Sequence, residues 1–146
     1  MLVYGIGYEG REPAQLVQAL CAAGVEVLVD VRQNASSRKR GFAKTALREH
    51  LAAAGIDYLH LRALGNDRDN RAGFAYLAGP TAEAARDRYR EHLSNGSSPV
   101  VADLLEVVRE RSAALLCFER DTRHCHRDVL IDHLQELEPK LVALPL

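Results

Sequence analysis

The chain has no tryptophan, and its aromatic residues amount to 5%. Stacking platforms for single-stranded nucleic acid therefore have few candidates. Cysteine is also sparse, with only Cys21, Cys117 and Cys125. An odd count argues against a disulfide framework, and a reducing, cytoplasmic location is expected. Neither charge sign is in excess: the formal net charge is -1, so no global field selects nucleic acid or membrane. No apolar run approaches the roughly 18 residues of a membrane helix, and no membrane partner is expected. The opening Met1-Leu2-Val3-Tyr4-Gly5 lacks the basic region and long apolar stretch of a signal peptide and reads as a strand.

Apolar residues at 47% and charged residues at 27% are globular proportions. A length of 146 residues supports one domain with a buried core, expected to span 1–146. After a first strand over Leu2–Ile6, Pro13 suits a first helical turn. Leu16, Val17, Leu20 and Cys21 then recur at helical spacing, and Gly24 closes that helix. Val25 to Val31 has the β-branched profile of a strand covered on both faces. A helix with Leu47, Leu51 and Ala54 inward leads to a strand over Ile56–Leu61 and a long polar loop from Arg62 to Pro80. Helices from Thr81 and Pro99, a strand over Ala113–Phe118, a helix over Cys125–Leu137 and a strand within Lys140–Leu144 complete the chain. This alternation predicts a three-layer α/β/α fold with a mostly parallel sheet of about five strands. Ligands in such sheets sit beyond the carboxyl ends of the strands. That edge would gather Gly7-Tyr8-Glu9-Gly10, Asp30-Val31-Arg32, Arg62 and Glu119-Arg120-Asp121.

Three segments carry chemistry. Gly5-Ile6-Gly7-Tyr8-Glu9-Gly10 has the letters of a dinucleotide fingerprint, with Asp30 at the right distance. Pro13 delays the helix, so the third glycine would not lie inside it. A glycine-rich turn is expected instead, with N–H groups at Gly7 and Tyr8 available to an anion. Arg32, Arg38, Lys39, Arg40, Lys44 and Arg48 form a basic stretch without an acid, a solvated face or an attractor of phosphates and nucleic acid. Arg38 stands out, because its loop can fold back over the sheet edge and its planar fork suits phosphate. In the third segment Cys117 reads as core, and Glu119 as a carboxylate at the mouth that is either functional or paired with Arg32 or Arg127. Cys125-His126-Arg127 opens a helix, whose free N–H groups and dipole favour an anion or a thiolate. A zinc set of Cys117, His124, Cys125 and His126 has no standard C-x2-C spacing, so no metal is expected. His50, His60, His92 and His133 are assigned no role.

Together these segments resemble DUF488, a family defined only as a domain of unknown function. The resemblance lies in Tyr4-Gly5-Ile6-Gly7-Tyr8-Glu9-Gly10, Leu28-Val29-Asp30-Val31-Arg32, Ser37-Arg38 with Phe42, Gly55 to Leu61, Leu64-Gly65, Leu115 to Glu119, and Cys125-His126-Arg127. It implies a compact three-layer α/β fold and little about activity. Family members often carry proline before the Ser-Arg pair, where this chain has Asn34-Ala35-Ser36, and histidine in place of Tyr8. Asp30-Val31-Arg32 after a buried strand, with a cysteine-bearing loop, is also weakly similar to rhodanese-like domains.

The function expected from these residues is an enzyme acting on a phosphate-bearing small molecule, a nucleotide or a nucleic-acid end. Arg32, Arg38 and Arg127 would hold the anion with Gly7 and Tyr8, and Asp30 or Glu119 would act as general base or metal-binding carboxylate. Two alternatives remain open. One is a non-catalytic module docking nucleic acid or a partner through the basic stretch. The other is thiol chemistry, with Cys125 as nucleophile beside His126. Cofactor and oligomeric state are left unspecified.

Overall fold

A computed structural model describes residues 1–146. Five strands, β1 (Leu2–Gly7), β2 (Val27–Asp30), β3 (Asp57–His60), β4 (Ala113–Cys117) and β5 (Val142–Pro145), form one sheet in the order β3-β2-β4-β1-β5. Every pairing is parallel. The crossovers are α1 (Pro13–Ala22), α2 (Lys44–Ala53), α3 (Pro80–Ser94), α4 (Ser98–Glu110) and α5 (His126–Leu137). Pro13 occupies the first turn of α1, and the Glu12 N–H donates to Gln15 Oε1 at 2.7 Å. Gly24 (φ 70°) and Gly55 (φ 73°) turn the chain after α1 and α2 in the left-handed region that glycine adopts freely.

The alternation of side chains along the strands divides the core in two. Val27, Val29, Ala113, Leu115 and Cys117 pack under α3, α4 and α5. Leu28, Ala114, Leu116 and Ile6 pack under α1 and α2 with Leu16, Leu20, Phe42, Leu47 and Leu51. The expected three-layer α/β architecture is therefore the observed one. The expected long loop is built from three short 3₁₀ turns, Arg62–Leu64, Arg68–Asn70 and Ala72–Ala75. The last helix begins at His126 rather than Cys125, which serves as its N-cap. No helix is long and apolar enough to cross a membrane.

The first two crossovers lie on one face and the later ones on the other. Strand β4 inserts between β1 and β2, so the winding reverses there. Crevices form at such a reversal, beyond the carboxyl ends of the strands.

Candidate active site

Strand parity decides where side chains go at the carboxyl edge. Val29 and Val31 face α3–α5, so Asp30 turns to the opposite side with Leu28. It is fully buried there. Its carboxylate accepts from Arg32 Nε at 2.9 Å, Arg32 Nη2 at 2.6 Å, the Arg32 N–H at 3.1 Å and the Tyr58 hydroxyl at 2.5 Å. Arg32 Nη1 donates to the Phe42 carbonyl at 2.8 Å, and His60 Nε2 donates to the Arg32 carbonyl at 2.8 Å. Burial opposes the Arg32 cation, but Asp30 outweighs it and holds the guanidinium protonated beyond its ordinary range. Burial and the bond to Asp30 push the Tyr58 phenol up. With four donors on its two oxygens, this carboxylate is not placed to take a proton from a molecule in the pocket. Asp30 positions Arg32 and does not reach the pocket, whereas Arg32 lines it.

The glycine turn is equally committed. The N–H groups of Tyr8 and Glu9 donate to the carbonyls of Cys117 (3.3 Å) and Phe118 (2.9 Å), extending the β1–β4 ladder past its regular end. A Cβ on Gly7 would overlap the Glu119 carbonyl. Gly7 thus allows the Glu119 backbone to pass close to β1, and of the two N–H groups expected to face an anion, that of Tyr8 is taken by the Cys117 carbonyl. Tyr8 itself is buried, stacked on Phe42 with ring centroids 4.6 Å apart, and lines the pocket.

The crevice beyond β1, β2 and β4 is a pocket of about 130 Å³. Its walls come from Arg32, Gln33, Asn34 and Ser36 after β2, and from Asn66, Arg71 and Phe74 in the 62–80 loop. The loop length marks that segment as functional in the sequence, but no periodic signal singles out those three residues. Cys117, Glu119, Cys125 and His126 supply the remaining polar lining together with His124, whose Nδ1 donates to the Phe74 carbonyl at 3.0 Å. Arg38 is exposed and lies outside this lining. Its loop is closed by the Lys44 N–H on the Ala35 carbonyl and pinned by buried Phe42. The expected clamp of Arg32, Arg38 and Arg127 is therefore not assembled. Arg40, Lys44 and Arg48 of the basic stretch are exposed as well.

Cys125 is the best-furnished group in the pocket. As N-cap of α5 its sulfur accepts from the Arg127 N–H (3.5 Å) and Arg127 Nε (3.3 Å). His126 Nδ1 lies 3.6 Å from the same sulfur. His126 Nε2 is 2.8 Å from the Val31 carbonyl. A carbonyl only accepts, so Nε2 carries a proton and Nδ1 faces the sulfur. Arg127 is completely buried; its Nη2 donates to the Glu119 carbonyl, and its Nη1 has no partner. Burial opposes the Cys125 thiolate, but a hydrogen bond from Cys117 and the charges of His126 and Arg127 outweigh it, and the thiol falls well below its ordinary range. The hydrogen bond to Cys125 and burial push Cys117 well up. Burial and the neighbouring Cys125 raise Glu119, whose Oε2 is buried without a partner. Burial opposes the His126 cation, yet the Cys125 sulfur raises it.

Cys117, Cys125 and His126 place their ligand atoms within 4.8 Å of one another. Motif spacing excludes this set because C-x2-C rules describe two sulfurs on one turn. Here one sulfur comes from a strand end and the other from a helix cap. His124, the fourth residue of the zinc grouping, lines the pocket but stands outside this cluster, with Nδ1 on the Phe74 carbonyl.

A family model described as a domain of unknown function, DUF488, matches residues 12–134. The chain belongs to the DUF488 family. The matched span of this DUF488 chain contains Asp30, Arg32, Cys117, Glu119 and the Cys125-His126-Arg127 cap, while the glycine motif at 5–10 precedes it. No curated protein and no solved structure matches. The rhodanese-like similarity is not borne out: Cys125 caps a helix eight residues beyond the strand cysteine instead of following the strand directly.

Proposed function

We propose that the protein is an enzyme whose reacting group is the Cys125 sulfur, acting on a small anionic molecule in the pocket of Arg32, Arg71 and His126. One observation carries this reading. Arg127 is fully buried, forms no ion pair with a carboxylate, and directs Nε at Cys125. An uncompensated guanidinium in the interior costs several kcal/mol, so the sulfur is the anion that offsets it. The first turn of α5 adds its N–H groups and dipole to the same end. His126 and Glu119 stand beside the sulfur as proton carriers.

The substrate class follows from size and lining. Pockets for drug-sized ligands run to about 300–1,000 Å³. A space of about 130 Å³ admits the reacting end of a molecule, such as a phosphate or carboxylate group, with the remainder outside. A phosphate-bearing small molecule or nucleic-acid end remains the substrate class, but the arginines that would meet it are Arg32 and Arg71, not Arg38 and Arg127.

The test is competitive labelling with iodoacetate in the presence of EDTA, followed by peptide mass spectrometry. Cys21 is exposed and serves as the internal reference. We expect Cys125 to be carboxymethylated before Cys21, and inorganic phosphate to slow Cys125 selectively. Labelling of Cys21 while Cys125 stays untouched in the folded protein would refute the reading.

A further inference from the structure

We propose that Cys117 Sγ, Cys125 Sγ and His126 Nδ1 bind one divalent transition ion of the zinc class, with a fourth coordination position open to the pocket. The inference rests on reading this pocket as the reaction site: with an ion bound, Cys125 is one of its ligands, and the reactive free sulfur of that reading is the metal-free state, which EDTA secures in the labelling test.

Three features of the geometry converge. The three ligand atoms already lie within 4.8 Å of one another. A tetrahedral ion holding a sulfur at about 2.3 Å and an imidazole nitrogen at about 2.0–2.1 Å sets those two atoms about 3.6 Å apart. The observed separation of Cys125 Sγ and His126 Nδ1 is 3.6 Å. The far side of the imidazole is fixed as metal-binding histidines usually are, its Nε2–H donating to a backbone carbonyl at 2.8 Å. Tyr89, buried and T-shaped against the ring at 5.1 Å, holds that plane.

Charge supports the same assignment. Binding the ion releases the Cys117 proton, and the two thiolates then formed lie beside Glu119 in a buried site. A dication together with Arg127 balances all three. Glu119 Oε2 is buried with no hydrogen-bond partner, and Glu119 lines the same pocket as both sulfurs. An ion-bound water at the fourth position is the partner its place suits. Two sulfurs and an imidazole select a thiophilic ion over magnesium or calcium, which take oxygen ligands. Three protein ligands with one open position is the pattern of a catalytic rather than a structural ion.

The experiment titrates cobalt(II) into the whole chain, purified and dialysed free of metal, and follows absorbance. The expected result is a sulfur-to-cobalt charge-transfer band that saturates at one ion per chain and is displaced by zinc. His126→Gln should weaken the cobalt affinity by about tenfold or more, and Cys117→Ser should diminish the band. Zinc should also protect Cys125 and Cys117, but not exposed Cys21, from iodoacetate. Absence of a saturating band, with Cys125 still labelled before Cys21, overturns the metal site and leaves the thiol reading intact. Absence of the band together with an inert Cys125 overturns both.

Discussion

Arg32 and Arg127 are both buried arginines, and they are compensated differently. Arg32 has a carboxylate, gripped through Nε and Nη2, while Arg127 has a sulfur and a backbone carbonyl. The difference separates a positioning pair from a reacting one. Asp30 was legible in the sequence as a polar residue at a strand end, but its partner was not. Asp30, Arg32 and Tyr58 meet because parity turns Asp30 away from the cysteines, and Tyr58 arrives from the neighbouring strand. A consequence at this scale is that Asp30→Asn leaves a buried guanidinium uncompensated. Urea denaturation should show a loss of about 3–5 kcal/mol. A loss under about 1 kcal/mol would mean that the pair is not the anchor of the pocket wall.

At the level of elements, the site is assembled from two strand ends and a helix cap. The β1–β4 ladder continues two hydrogen bonds past Gly7, and the Glu119 backbone passes where a side chain would stand. Gly7→Ala must push that loop outward. We expect a destabilisation of about 1–3 kcal/mol from overpacking. Because Arg127 reaches the Glu119 carbonyl, Cys125 should also label more slowly with iodoacetate in this variant than in the parent protein. An unchanged melting temperature with unchanged labelling would show that the loop does not depend on this close approach. The glycines at 5, 7 and 10 were visible in the sequence, but their purpose was not. A ladder extension and a phosphate turn ask for the same residue for different reasons, and only the partner of the N–H groups tells them apart. The start of α5, by contrast, was legible to within one residue, since Cys125-His126-Arg127 precedes a regular stripe of Val129, Leu130 and Leu134.

For the molecule as a whole, one sheet serves two cores. Leu20 belongs to the layer under α1 and α2, Leu104 to the layer under α3–α5, and both are fully buried. The layers share β2 and β4, whose residues alternate between them. Leu20→Ala and Leu104→Ala should each cost about 2–5 kcal/mol. Each variant should still unfold in a single transition by far- and near-ultraviolet circular dichroism. A biphasic curve in either would show that the layers unfold separately. The reversal of winding at β4 also explains why the pocket lies there: crossovers leave on opposite faces, and the gap between them opens above Tyr8, Arg32 and Cys117.

Periodicity and composition in the chain by themselves determined the α/β layering, the parallel sheet, the edge that carries the pocket and, to within one residue, the start of the last helix. These are local or pattern-based properties, set by spacing within one element and by the order of elements. Tertiary structure decided the rest. It paired Asp30 with Arg32 and Tyr58, took Arg38 out of the site, occupied the glycine turn with a ladder, and drew Arg71 and Asn66 into the wall. It also brought Cys117 beside Cys125 and His126. The physical reason is that side-chain partners across a sheet edge depend on parity and on the path of long connections. Neither is encoded in the neighbourhood of the residues concerned.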